Sequence, residues 1–122
     1  MGIDYGKKKI GIALTDEEGM MAFPKYVLQN DEKIFEKVQK IIEENNVEKV
    51  VLGKSLDYNM KPNPVMAEIR GFRRKLESRL GVKTDYEDEF LTTQESLRLQ
   101  GQSELTDASA AALILKSYLE KD

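Results

Sequence analysis

An aspartate closes the first apolar stretch of the chain: Asp4 in "MGIDYG", flanked by Gly2 and Gly6. More carboxylates follow short apolar runs further on: Asp57 in "GKSLDYNMKPNP", Asp88 and Glu89 in "DYEDEF", and Asp107 in "LTDASAAALIL". The 122 residues include no histidine and no cysteine. Disulfides, thiolate nucleophiles and histidine-ligated zinc are thereby excluded, and any acid–base or metal chemistry falls to other groups, carboxylates above all. Two unit charges 4 Å apart repel by about 1 kcal/mol in water and about 4 kcal/mol in a partly shielded site. Three carboxylates brought together therefore require a divalent cation, and a donor set made only of oxygens suits Mg²⁺ or Mn²⁺. Two such ions can hold the attacking and leaving oxygens of a phosphodiester.

The elements that would carry these acids can be read from periodicity. Met1–Asp4 is a short strand, and Lys9–Thr15 alternates Ile10, Ile12 and Leu14 with Gly11 and Ala13, a period of two. The "GKKK" between them fits a hairpin turn. "DEEG" makes a second turn into a strand Ala22–Gln29, where Pro24 suits a sheet edge. The period then becomes helical: Ile34, Phe35, Val38, Ile41 and Ile42 share a face, with Asp31 as N-cap. Glu48–Gly53 is a buried strand. Val65, Ile69, Phe72, Leu76 and Leu80 form the stripe of a second helix that Gly81 ends. Val82–Glu87 is a strand, Thr92 to Glu95 is a capping-box pattern, and a last helix runs from Asp107 to Leu119 with Ala108, Ala111, Ala112, Leu115 and Leu119 on a narrow face. The order βββαβαβα predicts an α/β fold: a mixed five-stranded sheet ordered 3-2-1-4-5, flanked by helices, in one domain over 1–122.

That topology gives the acids a common place. Ligands of open α/β sheets bind beyond the carboxyl ends of the strands, and strands 1, 4 and 5 run the same way. Asp4, Asp57, Asp88, Glu89 and Asp107 are thus all candidates for one sheet edge. Charged residues make up 34% of the chain and the net charge is −3, which speaks against a large cationic footprint. No stretch reaches the roughly 18 apolar residues of a membrane span, and no signal-peptide pattern opens the chain, so a cytoplasmic protein is expected.

"GIDYGKKKIGIALTD", "DEFLTT" and "DASAAALILKSYL", in this order and spacing, resemble the YqgF/RuvX family, Holliday-junction-resolvase-like proteins also described as proposed pre-16S rRNA nucleases. The resemblance spans nearly the whole chain. It implies an RNase H-like fold and a metal-dependent phosphodiesterase site in which Asp4, Glu89 and Asp107 are the catalytic, metal-holding carboxylates. The partner it implies is nucleic acid, structured RNA or branched DNA; the sequence leaves monomer and homodimer equally open. The chain departs from the family pattern in three places. Phe90 stands where the family has an arginine after the glutamate, "QGQSEL" replaces a basic loop, and "GKSLDYNMKPNP" replaces a Gly-Leu-Pro-x-Asn-x-Asp-Gly loop.

Bases remain near the acids. Lys7, Lys8 and Lys9 in the first hairpin, and Lys54 after strand 4, are the candidate nucleic-acid contacts. Arg70, Arg73, Arg74 and Arg79 along the second helix read as a solvated face. Three functions compete. The first is a metal-dependent nuclease acting in pre-16S rRNA 5′-end processing or branched-DNA resolution. The second, favoured by Phe90 and the missing basic loop, is a catalytically degenerate nucleic-acid-binding module in ribosome maturation or transcription. The third is a relative of the actin-like and sugar-kinase ATPases, which close two such domains over a nucleotide where this chain supplies one.

Overall fold

The computed structural model describes residues 1–55, 65–89 and 104–120. Five strands, β1 (Gly2–Tyr5), β2 (Lys9–Thr15), β3 (Ala22–Gln29), β4 (Lys49–Ser55) and β5 (Lys83–Glu89), form one sheet in the order β3-β2-β1-β4-β5. The β1–β2 and β2–β3 pairs are antiparallel, and the β1–β4 and β4–β5 pairs are parallel. Three helices complete the described fold: α1 (Ile34–Glu44), α2 (Val65–Lys75), extended by a π-helical turn over Leu76–Leu80, and α3 (Glu104–Leu119). The expected element order and sheet order are those observed.

Alternation along the strands divides the core in two. Ile3, Ile10, Ile12, Val50 and Leu52 point to the side carrying α1 and α2, where Val38, Ile69, Phe72 and Leu76 meet them. Ala13 and Val51 point to the other side, against Ala111, Ile114 and Leu115 of α3. A β-bulge in β3 shifts register between Ile12↔Tyr26 and Ala13↔Pro24 and leaves Lys25 unpaired. Pro24 thus lies on an edge strand, as its missing N–H requires.

The element ends differ from the sequence reading where polar residues hide them. β1 starts one residue later than expected and runs on to Tyr5. β4 continues to Ser55 and β5 to Glu89, so Asp88 and Glu89 are the last residues of a strand and do not follow it. Helix α3 begins at Glu104, so Asp107 lies inside its first turns and is not the residue that opens it. Asp31 lies three residues ahead of α1; its carboxylate accepts the Lys33 N–H at 3.0 Å and its carbonyl accepts the Ile34 N–H at 3.1 Å. It therefore organises the turn leading into the helix without being its N-cap. Gly81 ends the second helical stretch at φ 68°, as expected. The capping-box pattern at Thr92–Glu95 lies outside the described residues.

Small side chains let α3 sit close to the sheet. Ala108, Ala110 and Ala111 are buried there. A methyl group added at Gly2 would fall 2.8 Å from the Ala111 carbonyl oxygen and 2.8 Å from the Leu115 Cβ. One of these neighbours is backbone, so relief requires moving the helix. Gly2→Ala is therefore expected to lower unfolding free energy by about 1–3 kcal/mol, measured by urea denaturation; unchanged stability would show that α3 does not rest on β1 this closely.

Candidate active site

At the end of β1 the chain turns sharply. A Cβ at Gly6 would lie 2.5 Å from the Lys9 carbonyl oxygen. Asn30, just past β3, clasps this turn: its side-chain amide donates to the Gly6 carbonyl at 2.8 Å and its backbone N–H to the Lys8 carbonyl at 2.9 Å. Lys7 and Lys8 are left exposed at the tip, while Lys9 is half-buried in β2 opposite Gln29. Lys54 pairs in register with Asp88; its side chain lies outside the described residues.

Asp4 is the next-to-last residue of β1, half-buried and paired with Gly11. It has the parity of Gly2, which puts it on the α3 side of the sheet. Continuing the Gly2↔Val51 and Ile3↔Leu52 register by one residue brings Asp4 level with Gly53, and Gly53 pairs with Glu87. On the α3 face the row therefore reads Gly11, Asp4, Gly53, Glu87. Residues without side chains stand on both sides of Asp4 and leave room beside its carboxylate.

Helix α3 runs antiparallel to β1. Its last turns stand over the strand beginnings, where Lys49 Nζ donates to the Tyr118 hydroxyl at 2.5 Å and that hydroxyl donates to Asp85 Oδ2 at 2.9 Å. The ammonium also lies 4.9 Å from the Tyr118 ring centre. Going back from Ala111, which covers Gly2, to Asp107 moves about 6 Å along the helix. Going from Gly2 to Asp4 moves about 6.6 Å along the strand in the same direction. Asp107 therefore lies one helical turn before the residue that covers Gly2, and Asp4 lies two residues beyond Gly2 on the same face of the sheet.

Glu89 pairs in register with Ser55 and shares the parity of Asp85 and Glu87; Asp88 has the opposite parity. The side chains of Asp88, Glu89 and Asp107 are outside the described residues, as are Asp57, Phe90 and "QGQS" as a whole. Among the described residues no three acidic side chains group to hold a metal. Glu87 went unrecognised in the sequence. It is only 2% exposed, and its signal was parity, since it lies two residues before Glu89 on the same strand.

The arginines of α2 belong to the other side of the sheet. Arg73 donates from Nε to Thr84 Oγ1 at 2.7 Å and stacks 4.5 Å from the Tyr86 ring centre. Arg79 stacks 5.5 Å from that of Phe35.

A family model described as RuvX, Holliday junction resolvase, matches residues 1–121. The chain belongs to the RuvX family. Relatives named "Putative pre-16S rRNA nuclease" include one from Desulforudis audaxviator, 37% identical with 98% of this chain and 92% of the relative covered. Another, from Syntrophomonas wolfei, is 35% identical over the same shares, and one from Streptococcus pneumoniae is 30% identical over 99% and 96%. Among solved structures, Thermus thermophilus RuvC bound to a Holliday junction substrate superposes with a TM-score of 0.64 at 15% identity, covering 97% of this chain and 91% of RuvC. A second RuvC structure gives 0.61 at 17% identity. The RuvX chain thus has the RNase H-like fold that its motifs led one to expect. Among its described residues no helix is long and apolar enough to cross a membrane.

The Lys49–Tyr118–Asp85 chain of hydrogen bonds fixes the direction of α3 and hence the position of Asp107. The Tyr118 hydroxyl, then the Tyr86 N–H, hold the Asp85 carboxyl below its ordinary range, with Lys49 and Arg73 adding to the effect. A lowered folded-state value contributes stability above the unfolded value of about 3.9, and that contribution disappears as pH falls through the folded value. Tyr118→Phe is therefore expected to cost about 1 kcal/mol at neutral pH, with a smaller loss below pH 3 in pH-dependent thermal melts. An equal loss at both pH values would detach Asp85 from this contact.

Proposed function

We propose that the protein is an endonuclease that hydrolyses phosphodiester bonds with Mg²⁺ or Mn²⁺ held by Asp4, Glu89 and Asp107. The observation that supports this reading is the position of Asp4 on the α3-covered face near the end of β1, with a glycine beside it on each neighbouring strand and Asp107 one helical turn before the residue that covers Gly2. The donor chemistry fits: the chain has carboxylates and neither histidine nor cysteine, which suits a hard, oxygen-seeking cation. When bound, such cations supply an activated water and charge stabilisation for the departing oxygen.

The residues of the chain do the rest. Asp4 offers its carboxylate from a strand whose backbone is paired on both sides. Gly11 and Gly53 leave the space that a phosphate needs. Lys7 and Lys8, exposed at the adjoining turn, receive the flanking phosphates. With no imidazole in the chain, the proton of the attacking water passes to a carboxylate or to solvent. The names of the relatives support pre-16S rRNA as one substrate, read here as 5′-end processing in the cytoplasm, and the RuvC likeness supports branched DNA as the other substrate class. A binding module without catalysis is the second reading; Phe90 and the base-free "QGQSEL" favour it.

Single-turnover cleavage with Mn²⁺ tests the proposal. Asp4→Asn, Glu89→Gln and Asp107→Asn should each abolish cleavage almost as fully as the triple variant, because groups that act as a unit lose activity non-additively. Asp57→Asn and Asp88→Asn should retain most of it. Mn²⁺ should raise the melting temperature of the parent saturably and that of the three single variants less. Cleavage that survives Glu89→Gln would move that ligand to Asp57 or Asp88. Parent protein that cuts nothing with any divalent ion would leave the binding module.

A further inference from the structure

The α2 stretch is basic in an acidic chain. From Val65 to Gly81 it carries Arg70, Arg73, Arg74, Lys75 and Arg79 against Glu68 and Glu77, while the whole chain has a net charge of −3. The structure divides these bases by what they touch. Arg73 is committed to Thr84, the Tyr86 ring and, at 3.7 Å, the Glu77 carboxylate. Arg79 lies over Phe35. Arg70, Arg74 and Lys75 are exposed, and among the described residues the ion pairs are made by other groups: Lys37–Asp31, Lys40–Glu44 and Arg73–Glu77. Three neighbouring cations held on a rigid helix without counter-charge fit a polyanion.

We infer that the Arg70–Arg74–Lys75 face of α2 is a second nucleic-acid contact, which grips the backbone of a double-stranded arm of the substrate away from the bond to be cut. The inference rests on the nuclease reading for the position of that bond and extends it to the form of the substrate. Arg73 meets Thr84 near the start of β5, so α2 runs antiparallel to the parallel strands and its first turns face the sheet edge where β1 ends at Asp4. Arg70 lies closer to that edge than Arg74 by one turn, about 6 Å. A duplex crossing the edge can reach both. The described aromatic rings beside α2 are covered: Phe72 is 6% exposed, Tyr5 stacks on it, and Tyr86 and Phe35 carry guanidinium groups. Among the described residues none beside α2 offers an open ring for stacking unpaired bases, the usual means of holding a single strand, so the contact is with phosphates and favours a duplex.

The test is the salt dependence of binding, with Ca²⁺ in place of Mn²⁺ so that the complex persists. Fluorescent 20-bp RNA and DNA duplexes and a single strand of the same length are titrated with the parent, with Arg70→Ala/Arg74→Ala, and with Lys33→Ala/Lys40→Ala on α1 as a control that removes the same charge elsewhere. Each lost phosphate contact reduces the log–log slope by about 0.9 on duplex DNA. The α2 double variant should therefore lose about 2 in slope on at least one duplex, so the weakening from 50 to 200 mM salt becomes about tenfold smaller than in the parent. The α1 control and the single strand should show the parent's slope. A loss on RNA alone or DNA alone supports the contact and identifies its source. Equal slopes for the α2 variant and the parent on both duplexes, or equal losses in the α1 control, overturn it. Because binding is read without cleavage, a parent that cuts nothing would defeat the nuclease reading and leave this measurement intact. Matching thermal melts confirm that the exposed substitutions leave the fold in place.

Discussion

The docking of the last helix on the sheet depends on the steric contact between Gly2 and the α3 backbone. A helix can approach a sheet this nearly only where the strand beneath it lacks a side chain, and here even one methyl group would meet a carbonyl oxygen at 2.8 Å. That contact sets the height of α3 above β1. The Lys49–Tyr118–Asp85 hydrogen bonds at the far end set its direction. With both contacts made, Asp107 lies one helical turn before Ala111, the residue that covers Gly2, and the proposed pairing of Asp107 with Asp4 rests on that docking.

The same face shows how the sheet makes room for charge. Asp4 has glycines as row neighbours in both adjacent strands, and the next residue in that row is the buried Glu87. Two strand spacings, about 9.6 Å, separate their backbones, and unit charges that far apart oppose one another by about 2 kcal/mol in a partly shielded setting. A chain without histidine or cysteine relieves that repulsion most directly by holding a hard divalent cation. The repulsion in the metal-free protein and the affinity for the ion are then two expressions of one electrostatic arrangement. The opposite face is dedicated to bulk: Ile3, Leu52, Ile69 and Leu76 are fully buried there, which keeps the sheet rigid under the acids.

Much of this was legible in the chain. Strand β2 shows strict alternation of large and small residues, β3 lies between turn signals, and the ends of both were readable to the residue. The turn at Gly81 and the buried stripes of α1 and α2 were equally plain. The misread boundaries share one cause. Lys54, Ser55, Asp88 and Glu89 are polar, so the apolar period stops before them, whereas backbone pairing between β4 and β5 carries both strands on. Glu104, Leu105 and Thr106 likewise lack the small-residue pattern by which α3 was recognised. Glu87 was missed for a different reason. Its level with Asp4 depends on the β1–β4–β5 register, a tertiary relation through Gly53 that no local period encodes. Arg73 and Arg79 looked equivalent to Arg70 and Arg74 in sequence; only the rings of Tyr86 and Phe35 set them apart.

Anomalous diffraction from crystals soaked in Mn²⁺ tests the central claim, that α3 docked on β1 completes a carboxylate site for divalent metal. The account predicts a peak at the carboxyl end of β1, bounded by oxygens of Asp4, Glu89 and Asp107 at distances of about 2.0–2.3 Å. A peak ligated without Asp4, or ions found only at surface carboxylates such as Asp16 and Asp31, would contradict it.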